Sequence, residues 1–582
     1  MAYLRPGVFV EEISPANAPV SGVSSTSIAA FSGYTLKGPT TPTLVSSWTE
    51  FTKLFGSWDS NQSNNTVVTA AYLFFANGGS QCYIHRVTGS GAAAATRTLN
   101  DSSVTTVTAA SASGGVVTYT ANNTFAAGQT VSITGLSTAA FNLTNVTIAS
   151  ASSTQFTVSN SATGTGVTGA SAVASLGTLT VTAINKGAWA NTVYIGISAS
   201  SVGTSYFTLT VYSGGSSSGN IVERFTDITM NVADAAYAIP AINGTSNYIT
   251  VADINYSDSF EYTDNPATTV SGGIDTPNGL SGGTNGSSVA YSDIVTAITG
   301  GALDVIHSPL LLNVPGLVGT TSSATDVNNL LTYVAGNKPS VFVVLDGLND
   351  TVSNQLTAAA LYNTTSQAAV YYPSLVIPHP TSPAPGATLT VPNGAAVIGR
   401  YISTDASRGV FKSPAGLEAR LSGVVSVAAL TSANLDSLNS AVKPVNAIRY
   451  IPGSGIVIMG ARTLDQSYAN RYVSVRRSLI YLRKSLSDLT QFAIFEPNNF
   501  ALWNRLSSTV ENFLTAFWQQ GGLSGQTPAD AFYVKCDEDN NTPLQVQNGE
   551  VVIEIGVALQ RPAEFVVIRI SQYDSGSVVT IS

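Results

Sequence analysis

Between Asp101 and Lys186 the chain carries no charged residue. Ser, Thr, Ala, Gly and Val dominate the stretch, and short β runs at 116–120, 131–134, 146–149 and 156–159 are separated by turn residues. Strands at that interval predict a small all-β sandwich, with Phe125, Phe141 and Phe156 available for its core. Disorder is the competing reading for so polar a composition. The regular spacing favours an Ig-like insertion over 91–178, carried as a surface decoration.

The flanking sequence tells what the insertion is inserted into. β runs continue at 179–184, 193–198, 207–212 and 221–225, giving a β-rich subdomain over 179–270. From Leu280 helix and strand alternate: helix at 293–298, strand at 310–314, helix at 326–334, strand at 341–345, helix at 349–363 and strand at 368–372. This is the pattern of a layered α/β domain. It is expected to include the upstream strands 28–34 and 81–87 and helices 47–55 and 66–76. The domain is thus discontinuous, 28–90 plus 271–399, with the insertion leaving and returning through nearby ends.

Charge returns in the last third. Of 24 Lys and Arg, 16 lie from Arg400 onward against 15 acids, whereas residues 1–399 hold 8 cations against 18 acids. Two helices are legible there. Tyr472, Val475, Leu479, Leu482 and Leu486 form one apolar stripe, with Arg477, Tyr481, Lys484 and Asp488 opposite and Arg476 and Arg483 flanking. The second helix opens after Pro497 with Asn498 or Asn499 as N-cap. It turns Leu506, Val510, Phe513 and Phe517 inward and stops at Gly521-Gly522. A C-terminal domain over 400–544 and closing strands within 545–582 follow, at 549–559 and 564–570. At the other end, residues 1–27 read as an extended arm with a strand from Val8 to Ile13 before a proline-rich segment. A lone terminal strand must join a sheet edge, in its own chain or in another.

Bulk composition excludes several function classes. Only 10% of residues are charged, against about 25% in ordinary soluble chains, so much surface is expected to be covered by neighbours. Mean hydropathy is +0.21, yet no run approaches the roughly 18 apolar residues of a spanning helix. No membrane insertion is expected. Met1-Ala2-Tyr3-Leu4-Arg5-Pro6 leads straight to Glu11-Glu12 without a secretory signal, so synthesis and residence in a cytoplasm are expected. A pI near 4.9 argues against nucleic acid, which needs clustered cations. Cys82 and Cys536 have no metal or disulfide spacing and read as buried small hydrophobes.

No motif builds an active site. Gly215-Ser216-Ser217-Ser218-Gly219 fits G-x-S-x-G but joins two strands, where a nucleophile elbow needs a strand entering a helix. Gly282-Gly283-Thr284-Asn285-Gly286 lacks the Lys-Ser/Thr of a phosphate loop. Asp346 closes a strand and reads as a turn-capping acid. His85 reads as an ordinary strand residue, and His307 and His379 have no Cys or acidic partner. Asp537-Glu538-Asp539-Asn540-Asn541 lacks the Gly and Glu of a calcium loop. Catalytic residues, metal and cofactor are all expected to be none, and the chain is expected not to be an enzyme.

Several stretches resemble contractile bacteriophage tail sheath proteins. They are Thr404-Asp405-Ala406-Ser407-Arg408-Gly409-Val410-Phe411-Lys412-Ser413-Pro414-Ala415-Gly416, Ile456-Val457-Ile458-Met459-Gly460-Ala461-Arg462-Thr463-Leu464 and Arg471-Tyr472-Val473-Ser474-Val475-Arg476-Arg477. Phe495-Glu496-Pro497-Asn498, Phe532-Tyr533-Val534-Lys535-Cys536-Asp537 and Pro6-Gly7-Val8-Phe9-Val10-Glu11-Glu12 match as well. The resemblance covers about 1–90 and 180–582, with 91–178 departing from it. It implies a mixed α+β multidomain subunit whose C-terminal α+β domain is completed by strand exchange between subunits. It also implies a virion tail component, assembled in the host bacterial cytoplasm, that polymerises as stacked rings around a tail tube. Baseplate and tail terminator proteins are the further partners implied. On a baseplate trigger the metastable extended sheath contracts and drives the tube through the host envelope. The exchange residues are then expected to be Val8, Phe9, Val10, Ile13, Val551, Ile553, Ile555, Val566, Ile568 and Ile570. Arg476, Arg477, Arg483 and Lys484 are the expected tube-facing cationic face. The sheath of a non-phage contractile injection system or tail-like bacteriocin is an equivalent alternative. An Ig-repeat surface adhesin is an alternative of a different class.

Overall fold

The computed structural model describes residues 28–59, 65–166, 172–254, 265–271, 274–320, 323–382 and 384–564. Two compact units are present. One holds the described residues through Thr35, Pro39–Val87 and those from Val289 onward; the other holds Leu36–Gly38 and Thr88–Ser288.

The first unit is organised on an eight-stranded sheet. Its strands are β1 (Ile28–Gly33), β2 (Thr43–Val45), β3 (Gln81–Arg86), β4 (Leu310–Asn313), β5 (Val341–Leu345), β6 (Ala368–Tyr372), β7 (Val445–Ile451) and β8 (Gly455–Ile458). Their order is β2-β3-β1-β4-β5-β6-β7-β8. The strands from β3 to β7 run parallel, and antiparallel β2 and β8 close the edges. A parallel sheet covered on both faces reads as continuous apolar sequence. Leu310–Asn313, Val341–Leu345 and Ala368–Tyr372 are accordingly buried at every position.

Alternate residues feed two cores. Phe31, Leu311, Phe342, Val344 and Tyr371 pack with helices α1 (Trp48–Phe55), α2 (Thr66–Ala76), α6 (Gly394–Arg408) and α8 (Val473–Leu489). Ala30, Leu312, Val343 and Val370 pack with α3 (Tyr291–Ala297), α4 (Ala324–Asn337), α5 (Val352–Ala360) and α7 (Ser432–Ser440). A mixed α+β multidomain chain with a discontinuous α/β core is what the sequence predicts. The sheet does not stop at 399, however. β7 and β8 extend it to residue 458, because Val445 and Ala447 pair beside Val370 and Tyr372. α6 crosses the expected boundary between 399 and 400 and lies against the sheet along its length, with Val397, Ile398, Tyr401 and Ile402 buried.

The second unit is almost wholly antiparallel β. Strands Thr96–Thr106 and Val173–Ala183 run side by side, and the second, with Val107 just past the end of the first, feeds two cores. Leu99, Leu179 and Val181 pack with Ile195, Leu209 and Ile249 of the β-rich subdomain. Val107 and Ala174 pack with Val117, Tyr119, Phe141, Phe156 and Val158. The expected cut at 178 therefore passes through a strand, the cut at 91 falls before the first one, and the outer core begins near 107. Phe141 and Phe156 are buried, and Phe125 sits edge-on to Phe156 at 5.2 Å.

α6 and α2 cross closely at a glycine. A Cβ on Gly399 would lie 2.5 Å from the Phe74 carbonyl oxygen and 3.0 Å from Asn77 Cβ. Gly399→Ala improves helix propensity by about 0.8–1.0 kcal/mol, but overpacking costs about 1–3 kcal/mol. The expected net effect is a lower urea midpoint. An unchanged or raised midpoint would contradict the close crossing.

Candidate functional site

Two of the stretches that carry the family resemblance, 404–416 and 471–477, meet where α8 lies against α6. α8 is buried on more than one side. Val473 and Ile480 enter the α/β core, while Leu482 and Leu486 pack on Val510, Phe513, Leu514 and Phe517 of α9 (Phe500–Gln519). A helix wedged between two cores has no free polar face along its first half. Ser474, Arg476, Arg477 and Ser478 are all buried there.

Arg477 is held by Asp405 of α6. Its Nη1 donates to Oδ1 at 2.9 Å and its Nη2 to Oδ2, a two-pronged pair, and the two side chains are 4% and 2% exposed. The guanidinium also lies 4.9 Å above the Tyr401 ring, and the Tyr401 and Tyr371 hydroxyls are 2.5 Å apart. Burial would pull the Arg477 pKa down; the adjacent Asp405 carboxylate more than offsets this, and the net shift is upward. Burial pushes the Tyr371 and Tyr401 phenols up, so both stay neutral. A paired, hydrogen-bonded charge is the form in which an interior tolerates one.

This corrects the expected cationic face. Arg476 and Arg477 are buried, Arg483 is half-buried, and Lys484 is paired with Asp488 one turn on. The single apolar stripe misled because the helix buries two faces, which a one-period reading cannot separate.

α9 follows the sequence more closely. Asn499 accepts from Ala501 N–H at 3.0 Å and Leu502 N–H at 3.1 Å, and Leu506, Val510, Phe513 and Phe517 point inward. The chain leaves the helix through Gly521 at φ 83°. Just before α9, Phe495 adopts φ 67° and is 88% exposed.

Beyond α9, strands β9 (Phe532–Lys535) and β10 (Glu554–Val557) form a two-stranded antiparallel sheet. The ladder is shorter than the expected 549–559. Ile555 lies in it, but Val551 and Ile553 pack on Leu502, Trp503, Leu506 and Cys536. Asn541 causes the difference: its side chain accepts from Val552 N–H at 2.6 Å and donates to Val552 O at 2.9 Å, in place of a neighbouring strand. The acidic turn before it is closed on itself, with Lys535 paired to Asp539 at 2.6 Å. Val8, Phe9, Val10, Ile13, Val566, Ile568 and Ile570 lie outside the described residues.

After β10 the chain returns to the α/β core. Arg561 stacks 3.8 Å over the Tyr468 ring, and Glu564 meets Arg462 at 2.5 Å. Arg462 stands within a family-like motif, but its role has no local signal, since its partner is 102 residues away.

Elsewhere the motifs take structural parts. Asp346 accepts from Gly316 N–H at 2.8 Å, Asn313 Nδ2 at 3.2 Å and Gly394 N–H at 2.5 Å, so it caps α6 from the end of β5. Burial pushes its pKa up against the opposing pull of those N–H groups. Gly215–Gly219 joins two antiparallel strands, and His85 is buried with Nδ1 3.2 Å from Ser32 Oγ. Among the described residues no group of three or more His, Cys, Asp or Glu is placed to hold a metal ion, and no helix is long and apolar enough to cross a membrane.

Residues 465–572 match the phage tail sheath C-terminal domain family. The tail sheath protein of Vibrio phage KVP40 is 28% identical over 182 residues, 31% of this chain and 26% of that protein. The alignment thus spans about a quarter of that relative's length. The helical sheath of the anti-feeding prophage in its contracted state superposes with a TM-score of 0.51 at 19% identity, covering 98% of this chain and 100% of that one. The sheath tail protein Lin1278 of Listeria innocua gives 0.52 at 12% identity, covering 92% and 95%. The family resemblance read from the sequence therefore holds for the C-terminal segment in sequence, and for the chain in fold.

Removing one partner of a buried ion pair strands the other charge, at a cost of about 3–5 kcal/mol. Asp405→Ala should lower unfolding stability by that amount. The apolar double variant Asp405→Leu/Arg477→Met should recover most of it. Denaturant titration of the three proteins is the check, and a loss below about 1 kcal/mol in Asp405→Ala, the size of an exposed pair, would contradict the burial described.

Proposed function

We propose that this chain is the structural subunit of a contractile tail sheath. It polymerises around a tail tube in a metastable extended state, and on a signal from a baseplate it contracts and drives the tube through the host envelope. The observation that carries this reading is the β9–β10 sheet inside the segment matching the sheath family. Among the described residues each of its strands has one edge without a ladder partner.

A two-stranded sheet is marginal alone, and an open edge is a template for another strand. The residues from Val8 to Ile13 and from Glu564 to Ile570 have the β-rich composition to fill such edges in a neighbouring copy. Main-chain pairing at about 1 kcal/mol per net hydrogen bond, repeated in every subunit, would keep rings linked while the rigid bodies rotate. Contact with the tube is assigned to no particular face, since Arg476 and Arg477 are buried.

The sheath of a non-phage contractile injector is mechanically the same reading, and the likeness to the anti-feeding prophage sheath favours keeping it. A capsid gene beside this one would separate the two.

Purified full-length chain should form hollow, striated cylinders in negative-stain electron microscopy. Removal of residues 1–20 should leave a folded, soluble monomer that makes none. Normal cylinders from the truncated chain would refute the shared-strand reading.

A further inference from the structure

Arg462 belongs to the Gly460-Ala461-Arg462-Thr463-Leu464 stretch, and its surroundings form a socket. Buried Asn446 on β7 grips its main chain, accepting from Arg462 N–H at 2.7 Å and donating to Arg462 O at 2.8 Å. The same Asn446 amide donates to Val370 O on β6 at 3.0 Å. Nη1 of the guanidinium donates to Asn439 O at 2.9 Å, in the last turn of α7, where the helix dipole favours a cation. The rest of the fork is thereby aimed at Glu564. Nε donates to Oε1 at 2.7 Å and Nη2 to Oε2 at 2.5 Å, with the Tyr472 hydroxyl 3.3 Å from Oε2.

Glu564 immediately precedes residues 565–582. The chain reaches it from β10 by a path pinned at intervals. Leu559 bridges to Leu523, Arg561 lies over Tyr468, and Pro562 limits the backbone between. The two side chains of the pair are 10% and 22% exposed. That is enough enclosure to resist screening and enough solvent contact for the pair to open without unfolding a core.

We infer that Arg462 is the positioning residue of the C-terminal arm: its preorganised guanidinium captures Glu564 and fixes where, and in which direction, residues 565–582 leave the subunit. The inference rests on the proposed reading of that arm as a strand given to a neighbour. A two-pronged guanidinium–carboxylate pair sets an angle as well as a distance, which a single ammonium cannot do. An arm aimed this way meets the neighbour's sheet edge without first searching for it, and it can be released and recaptured as subunits turn.

The test uses Glu564→Gln and Arg462→Lys in the full-length chain. In the unassembled protein, amide hydrogen exchange at 559–564 should quicken by about tenfold, the change that about 1.4 kcal/mol of local stability gives, with the global unfolding midpoint unmoved. Arg462→Lys keeps the charge but not the fork, so it should behave as Glu564→Gln does. Glu564→Asp, which keeps a carboxylate, should restore part of the protection. Cylinder yield should fall in the same order as protection. Unchanged exchange in Glu564→Gln would overturn the inference alone, as would quickened exchange with cylinders as in the parent chain. Normal cylinders from a chain ending at Glu564 would overturn the strand-sharing reading itself.

Discussion

The placing of the C-terminal module depends on one buried ion pair. Arg477 and Asp405 lie between two helices that also share an apolar core. Hydrophobic burial alone would hold α8 near α6 without fixing its rotation. A bidentate pair, backed by the Tyr401 ring and the Tyr371 hydroxyl, admits one rotation. It also carries the full penalty of a stranded charge if the helix turns. α8 in turn presents Leu482 and Leu486 to α9, and α9 presents its inner face to the strands that follow. The order of dependence runs from the central sheet through the pair to the β9–β10 sheet.

That arrangement suits a subunit that must move as a rigid piece. The parallel sheet is covered on both faces, the β unit has cores of its own, and the module is locked to the sheet by charge. In the proposed reading, adjustment is left to the ends of the chain. It concerns main-chain pairing and a single solvent-touching ion pair, which can change partners without opening a core.

Much of this was legible in sequence because strand burial is written in composition. Leu310–Asn313, Val341–Leu345 and Ala368–Tyr372 are apolar runs of strand length, and each is a strand. A cap was equally plain: Asn499, one of the two residues offered for it, opens α9. Asp346 took the capping part its place at a strand end suggested. What stayed hidden had no local signal. α6 contains Gly394 and Gly399 and is buried nearly all round, so neither propensity nor amphipathic period marks it. Arg477 sits at a helical spacing that looks solvent-facing, and its counter-ion is 72 residues away. The strand pair at the base of the β insertion carries ordinary Thr- and Ser-rich sequence, so composition could not show that it serves two cores. The expected edge of the insertion lies at 91, whereas packing draws it near Val107.

The central claim is that the ends of each copy complete a sheet in another copy. The most direct measurement is a cryo-electron microscopy reconstruction of the assembled cylinder, with the main chain traced through both ends. The account predicts strands from residues 1–27 and 565–582 of neighbouring copies laid along the β9–β10 edges. Both ends paired within their own subunit, with no ladder crossing a subunit boundary, would contradict it.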